Sequence, residues 1–141
     1  MKTLVIYWSG TGNTEAMANA VLDGMKAAGA DATLWSVEDV QAGEVAGFDA
    51  VAMGCPAMGS EVLEETEFDP MYQDIKGSLS GKPVGLFGSY GWGDGEWMRD
   101  WENDVKAAGA DLVRAGVICC EAPDDEAVEA CKALGGQLAG A

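Results

Sequence analysis

Leu4-Val5-Ile6-Tyr7-Trp8, running directly into Ser9-Gly10-Thr11-Gly12-Asn13-Thr14, is the stretch that decides the fold class. The first residues are apolar or aromatic and predict a buried strand over Thr3–Trp8. Glu15–Ala28 predicts a helix, with Met17, Val21, Met25 and Ala28 at three- and four-residue spacing along one stripe. A strand that passes through two glycines and four hydroxyl or amide side chains into a helix N-terminus makes an anion site. Backbone N–H groups converge there and the helix dipole is positive. The loop holds no lysine or arginine. A nucleotide-hydrolysing loop needs Gly-Lys-Ser/Thr, and Asn13 stands where that lysine would reach the phosphates. A dinucleotide loop needs a third glycine where Glu15 stands. A phosphatase loop would need cysteine and arginine, and a phospho-acceptor site an aspartate where Gly54-Cys55 ends the third strand. A single phosphomonoester, held by hydrogen bonds and helix dipole without a cation, is what remains.

Outward from this loop, strand and helix alternate. Ala32–Val37 reads as a second strand, Val40–Ala46 as a short helix and Asp49–Gly54 as a third strand. Asp69-Pro70 reads as an N-cap and first helical residue of a segment ending at Ile75. Pro83–Gly88 is the fourth strand. Glu96–Ala108 is a helix with Trp97, Trp101, Val105 and Ala108 inward. Leu112–Cys119 is the last strand, interrupted at Gly116, and Asp124–Leu138 closes the chain with Val128, Cys131, Leu134 and Leu138 inward. Lys-Ala-Ala-Gly-Ala-Asp occurs at 26–31 and again at 106–111, each time as a helix stop with a left-handed glycine. Five strands separated by helices imply an α/β fold of three layers, a doubly wound parallel sheet with right-handed crossovers. Ligands in such sheets bind beyond the carboxyl ends of the strands.

The chain has 141 residues, enough for one domain with a single core, and no linker divides residues 1–141. Its longest N-terminal apolar run is too short for a secretion signal, which suggests a cytoplasmic protein. Cys55, Cys119, Cys120 and Cys131 form no C-x-x-C pair and the chain has no histidine, so no metal site is expected and all four read as buried free thiols. With 24 acids against 8 bases the net charge is −16, which excludes nucleic acid as a natural partner and favours basic protein surfaces.

Two further strand ends carry unusual residues. Gly88-Ser89-Tyr90-Gly91-Trp92-Gly93-Asp94-Gly95 displays two aromatics in a glycine-rich loop, which suits stacking on a planar ligand. Trp97 and Trp101 instead read as core, and burial is expected for Trp8 and Trp35. Cys55-Pro56-Ala57-Met58-Gly59-Ser60-Glu61 offers Met58 as an apolar face, a flexible glycine and a carboxylate acceptor. A ligand with one phosphate, a flat ring and an N–H to present would use all three loops. Flavin mononucleotide (FMN) answers that description.

Ser-Gly-Thr-Gly-Asn-Thr after strand one, Ala-Met-Gly-Ser-Glu after strand three and Gly-Ser-Tyr-Gly-Trp-Gly-Asp-Gly after strand four together resemble the flavodoxins, in particular the short-chain type of anaerobic bacteria. The likeness extends to Val62-Leu63-Glu64-Glu65 and Trp97-Met98. It implies strand order 2-1-3-4-5 and a monomeric, low-potential one-electron carrier, not an enzyme, working between oxidoreductases on the semiquinone/hydroquinone couple of FMN. By resemblance, Ser9, Gly10, Thr11, Gly12, Asn13 and Thr14 hold the FMN phosphate, assisted by Ser89. Trp92 stacks on the outer ring face, with Tyr90 beside it, and Met58 packs on the inner face, within Pro56-Ala57-Met58. Glu61 accepts from flavin N3–H, and the Gly91 and Trp92 N–H groups, followed by Gly93, meet the pyrimidine edge. The Gly59–Ser60 peptide is the redox-tuning element, turning over on one-electron reduction so that its carbonyl accepts from N5–H. Pro56 and Ser60 depart from relatives that carry serine and aspartate there. The acidity then acquires a use, since uncompensated carboxylates oppose an anionic reduced flavin. Two other readings use the same loops, a flavin enzyme of related fold and a phosphate-binding module without redox chemistry.

Overall fold

The computed structural model describes residues 1–59 and 61–141, so the expected role of Ser60 lies outside the described residues. The strands are β1 (Lys2–Tyr7), β2 (Asp31–Ser36), β3 (Ala50–Gly54), β4 (Pro83–Tyr90), β5 (Asp111–Leu112) and β6 (Val117–Cys120). The helices are α1 (Asn13–Ala27), α2 (Phe68–Ile75), α3 (Glu96–Ala107) and α4 (Asp125–Ala139). All strand pairs are parallel, in the order β2-β1-β3-β4-β5, with β6 also paired to β4. The expected order therefore holds, with its fifth position built from two short strands.

Alternation along each strand sends side chains to opposite faces, and helices cover both. Leu4, Ile6, Val51, Met53, Val84 and Leu86 pack with Phe68, Tyr72, Ile75, Trp97, Trp101 and Val105 on the α2/α3 side. Val5, Ala50, Ala52, Phe87 and Val117 pack with Met17, Val21, Met25, Cys131, Leu134 and Leu138 on the α1/α4 side. Helices α1 and α4 approach so closely that a Cβ on Gly135 would lie 2.1 Å from the Val21 carbonyl oxygen. Register aligns Tyr7 with Gly54 and with Ser36, and Tyr90 with Cys120. The loops after β1, β3, β4 and β6 therefore leave from one edge, and β1 is the point from which the chain winds in both directions.

Several expectations need correction. The last strand is interrupted at Gly116 as expected, but the break is wider than one residue and separates β5 from β6. Residues 113–116 span a stretch where β4 has only Gly85 and Leu86, and the Gly116 N–H donates to Glu102 Oε2 on α3 (2.6 Å). The helix expected over Val40–Ala46 is two 3₁₀ segments, Val37–Asp39 and Ala42–Gly47, with Val40 extended between them. Helix α2 starts at Phe68, so Asp69 is not its cap. β1 stops at Tyr7, β4 runs on to Tyr90, and Trp8 and Trp35 are half-buried. Of the cysteines only Cys55 and Cys131 are buried; Cys119 is half-buried and Cys120 exposed. Both repeated helix stops place their glycine in the left-handed region, Gly29 at φ 88° and Gly109 at φ 91°.

Candidate functional site

The first loop is organised by its own side chains. Gly12 caps α1 at φ 94°, a conformation glycine adopts freely, and its N–H donates to Ser9 Oγ (3.0 Å). Gly10, Thr11 and Asn13 face a cavity of about 580 Å³ on the carboxyl edge of the sheet. Thr14 is buried, and its hydroxyl lies 3.1 Å from that of Ser89, joining the first loop to the end of β4. Trp8 forms part of the cavity wall and donates from Nε1 to Glu67 Oε1 (3.1 Å). On the far flank of this loop, Tyr7 donates its hydroxyl to Glu15 (3.0 Å), and burial together with that carboxylate pushes the phenol up.

The second loop is clamped at both feet. Cys55 N–H donates to Phe87 O (3.1 Å), Cys55 O accepts from Trp97 Nε1 (3.1 Å) and Ala57 N–H donates to Ser89 O (3.0 Å). At the other foot Glu64 N–H donates to Cys55 Sγ (3.3 Å); that bond favours the thiolate, but burial outweighs it and pushes the thiol up to about 12. The Glu64 carboxylate is 5% exposed and accepts the N–H groups of Thr66, Glu67 and Phe68 (2.9, 2.7 and 2.8 Å) and the Thr66 hydroxyl. Burial opposes its ionisation, but these donors outweigh burial and hold it below the usual carboxylate range. Between the feet, Pro56, Ala57 and Met58 line the cavity. Glu61 sits at φ 52° and turns its carboxylate to the third loop, accepting from Gly95 N–H (3.2 Å).

The third loop brings Ser89, Tyr90 and Gly91 to the cavity. Tyr90 packs against Trp97 with ring centroids 5.7 Å apart. Trp92 is 61% exposed and stands outside the cavity wall. Gly93 and Gly95 are left-handed, and a Cβ on Gly93 would meet the Glu61 carboxylate at 2.3 Å. A cation does reach this loop: Arg99 of α3 pairs with Asp94 at 3.0 Å, which spends its charge locally.

The structure thus brings Gly10, Thr11, Asn13, Pro56, Ala57, Met58, Ser89, Tyr90 and Gly91 around one cavity. Ser9 and Gly12 border an adjoining cleft, Thr14 lies beneath, and Glu61 lines a separate groove. Two wall residues, Glu121 and Ala122, come from a fourth loop that sequence reasoning missed. Their position after the last strand of a parallel sheet was the available signal. Nothing in Cys120-Glu121-Ala122 marks a ligand-facing turn, because the usual glycine or asparagine is absent.

This cavity suits FMN. Its volume falls in the range of small-molecule sites. One end is an uncharged helix N-terminus and the other a slot walled by Met58, Tyr90 and Gly91, with no lysine or arginine among the lining residues. A Cβ on Gly59 or Gly91 would meet nothing within 4 Å, so packing inside the protein does not require a glycine at either position.

The flavodoxin family profile matches residues 5–135. A flavodoxin from Megasphaera elsdenii is 48% identical over 93% of each chain, and one from Clostridium beijerinckii 46% identical over 96% of this chain and 97% of its own. The solution structure of two-electron reduced Megasphaera elsdenii flavodoxin superposes with a TM-score of 0.88 over 99% of both chains. With a family profile across most of the chain and close relatives along nearly its whole length, this chain belongs to the flavodoxin family, FMN-bound electron carriers rather than enzymes.

Proposed function

We propose that residues 1–141 work as one FMN domain that shuttles single electrons at low potential between oxidoreductases, as a monomer in the cytoplasm. The observation that carries this reading is the union of an uncharged helix N-terminus and an apolar, aromatic slot in one cavity without a lining cation. Gly10, Thr11 and Asn13 offer the phosphate its donors, with Ser9 and Thr14 shaping the turn around them. Met58 and Trp92 are the residues for the two ring faces, Gly91 supplies an N–H, and Gly59 leaves backbone free to approach the ring. When bound, FMN supplies the electron-carrying chemistry; the protein holds it, excludes water from one face and surrounds it with negative charge.

Partner docking is proposed through basic patches on the other protein. Net charge of −16 supports this, as does a groove of about 500 Å³ where Glu61, Glu65, Asp69, Asp100 and Asp104 surround Val62 and Leu63. Among the described residues no helix is long and apolar enough to cross a membrane.

Anaerobic dithionite titration of the purified protein tests the proposal. Yellow protein that accepts electrons in two separate one-electron steps is the expected result. A colourless protein that takes up no added FMN would refute it, and NAD(P)H oxidation by the isolated chain would point instead to a flavin enzyme.

A further inference from the structure

Trp8 stands just past the end of β1 with contacts that point in two directions. Its ring leans on the first loop, where a Cβ on Gly10 would lie 3.1 Å from Trp8 Cη2. Its Nε1 donates to Glu67 Oε1 (3.1 Å), on the residue before α2, 59 residues further along the chain. Glu67 N–H donates in turn to Glu64 Oε1 (2.7 Å), and Glu64 N–H to Cys55 Sγ (3.3 Å). Cys55 is the foot of the loop that carries Pro56, Ala57 and Met58 to the cavity. The Trp8 backbone is anchored separately, by N–H donation to Gly54 O (3.0 Å). Pairing along the sheet therefore fixes where the residue starts, and the indole is left to span two loops. An indole presents a single donor, and here that donor meets a carboxylate, the stronger kind of hydrogen bond. The first loop is loosely built by comparison. Gly10, Thr11 and Gly12 are exposed, and glycine loses more freedom on ordering than any other residue. An anion that gathers the N–H groups of this loop settles Gly10, and with it the seat of the indole.

We propose that Trp8 is a positioning residue that couples the two ends of the cavity: filling the anion end settles the indole, and its bond to Glu67 carries this to the Glu64 carboxylate that holds the ring-facing loop. The proposal rests on FMN occupying this cavity. Neither Trp8 nor Glu67 is among the groups assigned to the phosphate or the ring.

The test divides the cofactor into inorganic phosphate and riboflavin. Apoprotein is titrated with riboflavin, with and without saturating phosphate, at an ionic strength held constant with chloride. In wild type, phosphate should tighten riboflavin binding roughly tenfold, and by linkage riboflavin should tighten phosphate binding by the same factor. Trp8→Phe and Glu67→Ala should each lower that factor to about threefold or less, and the double variant should lower it no further, because both remove one contact. Glu67→Gln keeps an acceptor oxygen for the indole and should retain the factor. A residue that only stabilises the fold would shift the melting temperature, or both affinities alike, and leave the factor intact. Overturning results are a factor that survives in Glu67→Ala, or one that Glu67→Gln loses as fully as Glu67→Ala. Should Trp8→Phe fail to fold, Glu67→Ala beside Glu67→Gln decides. Wild-type protein that takes up no FMN would overturn the cofactor reading and this proposal with it. Normal FMN uptake, with riboflavin binding that phosphate leaves unchanged, overturns this proposal alone.

Discussion

Replacing Glu64 tests whether one buried carboxylate holds the second loop in the shape that meets the cofactor. Its oxygens accept three backbone N–H groups and a hydroxyl at the start of α2, and its own N–H reaches Cys55 Sγ. Glu64→Ala leaves those donors without a partner. A lost cap costs about 1–2 kcal/mol, and an unsatisfied buried donor about 1–3 kcal/mol. Water reaching the opened site recovers part of this, so a total of about 3 kcal/mol is expected. Glu64→Gln keeps one acceptor oxygen and loses the charge, for a cost of about 1 kcal/mol. Urea unfolding of the apoproteins measures both. FMN affinity should fall about tenfold in Glu64→Ala, because apparent affinity scales with the fraction of protein whose loop is competent.

The pH dependence follows from the sign of the Glu64 shift. Its carboxyl titrates below the ordinary value of 4.5 in the folded protein. Its stabilisation is therefore complete above that value and is lost as pH falls through the lower folded value. The gap between wild type and Glu64→Gln should be constant near neutrality and close in acid. A loss under about 1 kcal/mol in Glu64→Ala, the range of an ordinary substitution, or a gap that persists unchanged into acid, would refute the cage.

Trp92→Ala should weaken FMN binding by about 1–3 kcal/mol through lost burial and stacking while leaving apoprotein stability unchanged, since the side chain is exposed. Isothermal titration reads the first and thermal unfolding the second; unchanged affinity would count against a ring-facing role. Gly88→Ala should destabilise the protein by about 3 kcal/mol, because its Cβ would lie 2.2 Å from Cys55 O, a backbone atom that already accepts from Trp97. A fully folded variant of normal stability would show that the β3–β4 edge yields more than its packing implies. Gly59→Thr should lower the largest fraction of one-electron-reduced flavin reached in titration yet spare oxidised FMN binding, since a Cβ there meets nothing within 4 Å. An unaltered fraction would remove Gly59 from redox tuning.

Sequence by itself determined the sheet, because continuous apolar runs such as Leu4–Ile6 and Ala50–Gly54 and the helical stripes through Met17 and Trp97 are local patterns. It also marked the candidate anion end of the cavity, where two glycines and a helix start offer backbone geometry that needs no distant partner. The three candidate loops were legible for the same reason, since glycine, hydroxyl and aromatic residues stand out wherever a strand ends, but the fold leaves Trp92 and Glu61 outside the cavity the loops share.

Tertiary structure alone decided what depends on contacts between segments far apart in the chain. Glu64 is the exception in range, since its carboxylate caps the α2 N-terminus only two to four residues ahead of it. Asp69, with proline after it, had the better local signature for a cap. Glu61 meets Gly95, and Trp8 meets Glu67, across spans of the chain that no local pattern records. The sequence marked an interruption at Gly116, but not that its N–H would donate to Glu102 on α3, fourteen residues back in the chain. Glu121 is the clearest case. Its left-handed turn runs against its own preference and is imposed by Tyr90 on the neighbouring strand, so its place at the cavity could be read only from the fold.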